Sequence, residues 1–207
     1  MTTATSSLRA ARSTGRSTYS SGAIALHWLI AALLISNIVL AWYFTHLPKM
    51  AQFGPASVHK SIGITILFLT LIRIGWRFTS PPPPLPGTLR PWERWGAKAT
   101  HVLFYVIMLG MPLSGWAMTS ASPLIKLHPT VLYGVLPWPT LPFGHLSRDT
   151  LDSLRRLFGR THALLAWVAY LTIALHVAAA LKHQFIDHDD VMGRMLPLAR
   201  RHLGGSL

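Results

Sequence analysis

The 207-residue chain is 51% apolar and only 12% charged, against roughly a quarter charged in an average soluble domain. It has no cysteine, which excludes disulfides, thiolate metal sites, cysteine-held iron–sulfur clusters and thioether-attached haem. The net charge of +13 does not point to a nucleic-acid reader, because the basic residues fall between apolar runs and no reader motif is present. Lipid headgroups are the expected anionic partner, and nucleic acid is not one.

Residues 1 to 20, rich in Ser, Thr and Ala with Arg9, Arg12 and Arg16, read as a flexible basic arm on the cytoplasmic side. The same acid-free composition also occurs in organelle-targeting segments. Four apolar runs of about 20 residues follow, each the length that crosses about 30 Å of hydrocarbon as a helix. They are Ile24 to Phe44, Val58 to Phe78, Ala97 to Met118 and His162 to Phe185. Ser20 or Ser21 can cap the first helix. His46 to Pro55 read as a short loop, with Pro55 and Ser57 opening the second helix.

Pro81 to Pro84 end that helix, and Pro91 serves as the first-turn proline of the third. A long loop spans about Thr119 to Ser147. Ser147 then caps the last helix, which Asp149 and Asp152 favour at its positive end, and which is expected to run unbroken past His183. The expected architecture is all-α: one integral membrane four-helix bundle over 21–198, with a basic tail at 199–207. The distribution of Lys and Arg favours both termini in the cytoplasm, although Lys126, Arg148, Arg155, Arg156 and Arg160 in the third loop and the start of the last helix weaken the contrast.

Several of the eleven histidines fall in these spans: His27, His59, His101, His162, His176 and His183. An ionisable side chain in a membrane helix is a candidate functional group, although a histidine near a helix end can also be merely interfacial. His162 and His176 are fourteen residues apart, so they share a helix face about 21 Å apart. Two stacked haem sites on one helix require that spacing. Depth sorts the others into an inner pair, His27 with His176, and an outer pair, His59 with His162, with His101 the rival to His27. Two axial imidazoles per iron favour electron transfer over oxygen binding.

Arg73, fourteen residues after His59, could pair with a haem propionate, whereas Arg77 reads as snorkelling to headgroups. Lys60 could serve an outer propionate or draw in an anion. Gly63 leaves room for a flat macrocycle, although small residues also let helices pack. His183, at the membrane edge, could exchange a proton with a quinone or be an interfacial residue. No span contains Asp or Glu, and no broken-helix pair or flavin fingerprint is present, which disfavours a transporter or a flavoenzyme.

Taken in order, the stretches YSSGAIALHWL (Tyr19 to Leu29), VHKSIGI (Val58 to Ile64) with Arg73, HVLFYVIMLGMP (His101 to Pro112), Thr161-His162-Ala163, LHVAAALKH (Leu175 to His183) and RMLP (Arg194 to Pro197) resemble the bacterial cytochrome b561 family, over about residues 19 to 198. The resemblance implies an inner-membrane protein with two b-type haems and a quinone site near the inner one. His59 and His162 would ligate the outer iron and His27 and His176 the inner, with His101 and His183 near the inner haem and quinone. It further implies transfer of electrons from periplasmic superoxide to ubiquinone, with Lys60 and the positive third loop attracting the anion. The same helix-four spacing occurs in cytochrome b subunits of dehydrogenases and hydrogenases, so an electron relay docked to a redox partner protein is the alternative.

Overall fold

The computed structural model describes residues 18–85, 89–188 and 192–195. Most of the expected basic arm and all of the expected tail lie outside these residues. Four helices carry the fold: α1 (Ser21–Thr45), α2 (Phe53–Thr79), α3 (Pro91–Ser120) and α4 (Arg148–Phe185). All four are long and apolar enough to cross a membrane.

The local signals act as their chemistry dictates. The Ser20 hydroxyl accepts the Ala23 N–H, and the Ser147 hydroxyl accepts that of Thr150, so each satisfies a donor the helix start leaves free. Pro91 occupies the first turn of α3, and α2 stops at Thr79, ahead of the prolines. The entry to α2 differs from expectation. A 3-10 turn at Lys49–Gln52 leads straight into the helix at Phe53, so Pro55 lies within the first turn instead of marking its start. A proline is tolerated there because the first-turn N–H groups have no helical partner.

The bundle carries its large apolar side chains outside and small polar ones inside, as lipid solvation requires. Val39, Leu71, Val102, Leu164 and Leu175 are exposed, while Ser61, Thr70, Ser114 and Thr172 are buried. Ile30, Ile66 and Met108 form a core among α1, α2 and α3. Close backbone packing runs from α1 to α2, α2 to α3 and α3 to α4, whereas α4 hardly approaches α1 or α2 at backbone level. It meets them through side chains, as where the Trp42 indole N–H donates to the Tyr170 hydroxyl at 3.1 Å. This leaves a wide seam along α4.

The long third loop is folded. Two short antiparallel strands, β1 (Val131–Leu132) and β2 (Leu136–Pro137), pair Val131 with Pro137 and Leu132 with Leu136. The tight turn between them places Tyr133 at φ 52° and Gly134 at φ 72°, the left-handed conformation a type I′ turn needs at both central positions and glycine adopts freely. The hairpin is bound to α2 by side chains: the Tyr133 N–H donates to Ser61 Oγ at 2.9 Å, and the Tyr133 and Thr65 hydroxyls lie 2.7 Å apart. Trp138 packs edge-on against Phe68 and tilted against Trp116, whose indole N–H donates to the Pro139 carbonyl.

Candidate functional site

Two pairs of imidazoles meet across the wide seam. His59 of α2 and His162 of α4 have ring centroids 6.3 Å apart, with the rings inclined at 69°. His27 of α1 and His176 of α4 are also 6.3 Å apart, inclined at 73°. A ring centroid lies about 1.1 Å behind its nitrogen and a metal–imidazole bond is about 2.0–2.1 Å, so two imidazoles sharing one metal ion between them have centroids about 6.2–6.4 Å apart. Both pairs have that separation. Because α4 is unbroken from Arg148 to Phe185, the two levels are about 21 Å apart along the helix.

Backbone carbonyls orient the rings at the His162 level. His59 Nδ1 lies 3.3 Å from the Asn37 carbonyl of α1, and His162 Nδ1 lies 3.0 Å from the Met111 carbonyl of α3 and 3.2 Å from Ser114 Oγ. A carbonyl can only accept, so each Nδ1 carries the proton and each Nε2 keeps its lone pair for a metal. Around them the packing is tight in one place and ordinary in another. A Cβ on Gly115 would come within 3.2 Å of the His162 ring, whereas one on Gly63 would meet only Asn37, at 3.9 Å. Phe44 closes edge-on against His59. Lys60, next to His59, points to the loop, where its ammonium donates to Thr130 Oγ1 at 3.4 Å.

At the His176 level, Arg73 and His101 are both near enough to His27 to interact with it electrostatically, and Phe104 lies edge-on to His176. His101 is thus in the same cluster, while the ring contact of His176 across the seam is with His27. His183 lies beyond this level, its side chain only 13% exposed, with Nδ1 3.1 Å from Asp187 Oδ2. Lys182 bridges Asp187 at 2.5 Å and Glu93 at 2.8 Å. Glu93 also accepts the Arg90 N–H at 2.9 Å, so one carboxylate ties the start of α3 to the end of α4. Sequence reasoning placed the histidines and Arg73 but missed this clamp, as well as Asn37, Met111 and Ser114 behind the imidazoles. Only Asp187, one turn after His183, left a readable signal.

The family model for prokaryotic cytochrome b561 matches residues 18–198, a range that contains every described residue. The chain belongs to the prokaryotic cytochrome b561 family. As a member of that family it is a haem b-binding, electron-transferring membrane protein. It is 34% identical over 176 residues to cytochrome b561 homolog 2 of Escherichia coli (strain K12), covering 83% of this chain and 87% of that one. It is 28% identical to a Yersinia pestis protein named "Probable superoxide oxidase CybB" (88% and 97% covered). It is also 26% identical to cytochrome b562 of Cereibacter sphaeroides (84% and 91% covered).

Proposed function

We propose that this cytochrome b561 carries two b-type haems, one between His59 and His162 and one between His27 and His176, and passes electrons from superoxide on the periplasmic side to ubiquinone near the cytoplasmic side of the inner membrane. The observation that carries the reading is the pair of equal imidazole separations, both matching one metal ion held between two rings. The absence of a side chain at Gly63, where a Cβ would meet Asn37 at 3.9 Å, suits a flat macrocycle beside His59. A haem held by these histidine pairs would supply reversible one-electron transfer.

The protein's own residues do the remaining work. The Asn37 and Met111 carbonyls hold the His59 and His162 rings in one tautomer. The half-buried Arg73 guanidinium needs an anionic partner, which a propionate would supply. Lys60 and the basic third loop draw an anion to the His162 level. At the other end, Asp187 meets His183 Nδ1 at 3.1 Å and anchors the ring, and an imidazole there is a suitable proton donor or acceptor for a quinone. The balanced reaction oxidises two superoxide anions to two dioxygen molecules, and ubiquinone takes the two electrons and two protons to become ubiquinol. The name of the Yersinia pestis relative supports the choice of donor.

The test is ubiquinone reduction by purified protein supplied with an enzymatic source of superoxide. The expected rate falls steeply with ionic strength, because an anion steered by positive charge is screened by salt. Lys60→Gln is expected to lower it severalfold at low salt with haem content unchanged. A protein with both haems that reduces no quinone in this assay would overturn the superoxide assignment and leave an electron relay. A second expected result concerns the wall of the seam. Gly115→Ala pushes a methyl group onto the His162 ring and is expected to lower haem occupancy at that level alone, read by haem quantification per chain. Full occupancy of both sites would show that the ring has room to shift.

A further inference from the structure

Outside the imidazole seam, a cleft of about 530 Å³ opens between the end of α3 and the first half of α4. Three arginines line it, Arg155, Arg156 and Arg160, over an apolar floor that includes Met118, Gly159 and Ala163. Arg155 is tied to Asp152 at 3.4 Å, and Arg156 donates to Ser153 Oγ at 3.2 Å. Among the described residues, neither Arg156 nor Arg160 forms an ion pair. The cleft thus holds more positive charge than its own surroundings neutralise.

Depth identifies the anion. With the bilayer centre midway between His162 and His176, Arg160 lies about 13 Å from it along α4, and Arg156 and Arg155 about 20 Å. The hydrocarbon edge lies at about 15 Å and the headgroup layer reaches about 20–22 Å. The guanidiniums therefore span the phosphate layer, while Ala163 and the exposed Leu164, a step deeper, face the acyl region. A soluble anion needs no apolar floor, but a lipid needs both parts. We propose that this cleft is a binding site for one anionic phospholipid of the leaflet on the His162 side, gripped by its phosphate between Arg156 and Arg160 and lying with its acyl chains along α4. Guanidinium forks suit phosphate oxygens better than ammonium groups do. The imidazole levels serve here only as rulers of depth, so the proposal stands or falls apart from the choice of electron donor.

The test is native mass spectrometry of the detergent-purified full chain titrated with phosphatidylglycerol. One tightly retained lipid per chain is expected, with binding weakened about tenfold or more in Arg156→Gln/Arg160→Gln. Lys49→Gln/Lys126→Gln removes the same charge away from the cleft and is expected to bind phosphatidylglycerol like the parent. Equal loss in both double variants would reduce the effect to general charge and overturn the proposal. Competition by inorganic phosphate at the same concentration as the lipid would also overturn it, since the site would then take a free anion.

Discussion

His162→Ala is expected to leave the chain with about one haem in place of about two, and His176→Ala is expected to remove the other, because each would take away one of the two imidazoles proposed to hold a haem. The two losses should be separable by reduced-minus-oxidised difference spectra with haem quantified per chain. At the His162 level the substitution leaves the Met111 carbonyl and the Ser114 hydroxyl paired with each other, since Ser114 Oγ donates to that carbonyl at 2.9 Å, so the effect falls on the haem site and not on the fold. Superoxide-driven quinone reduction should vanish in both variants, since either loss breaks the proposed route from one level to the other. His145→Ala, at an exposed loop position, is the control and should keep both haems. His27→Ala should match His176→Ala, and His101→Ala should keep both haems. If His101→Ala lost the haem and His27→Ala kept it, the inner assignment would pass to the rival histidine. Retention of both haems in His162→Ala and His176→Ala would overturn the ligand set.

His183→Ala is expected to keep both haems and slow quinone reduction by about tenfold or more, the scale on which a positioned acid or base contributes. The reason lies in the small network at the end of α4. Asp187 meets His183 Nδ1, and the Lys182 ammonium holds the same carboxylate, so the ring is held in place at the end of α4. Asp187→Asn keeps the shape but removes the carboxylate charge that ties His183 Nδ1 and Lys182 together. It should therefore keep both haems and slow quinone reduction as His183→Ala does. Rates equal to the parent in both variants would return His183 to an interfacial role.

Much of this was legible from the chain because membrane constraints are strong and local. Four apolar runs, Ser20, Pro91 and Ser147 gave helices whose ends fall within a few residues of expectation, α2 apart, and the fourteen-residue interval between His162 and His176 translates directly into two levels on a straight helix. What stayed hidden depends on long-range contact. The third loop looked irregular because its strands are two residues each and their stability comes from Ser61, Thr65 and Trp116, which lie far away in sequence. Tyr133-Gly134 within VLYGVLP was the one readable turn signal. Glu93 meets Lys182 across 89 positions, and no helical periodicity reports a pair that distant. The backbone carbonyls behind His59 and His162 carry no sequence signature at all.

The continuity of α4 also bears on energy. An electron passed from the His162 level to the His176 level moves through about 0.7 of the hydrocarbon thickness, so a membrane voltage acts on it with about 1.6 kcal/mol per 100 mV. In a cell that is negative inside, each inward transfer is electrically uphill. On the proposed inward route, turnover by this chain would therefore be throttled by the charge state of the membrane in which it sits, falling as the cell energises and rising as it de-energises.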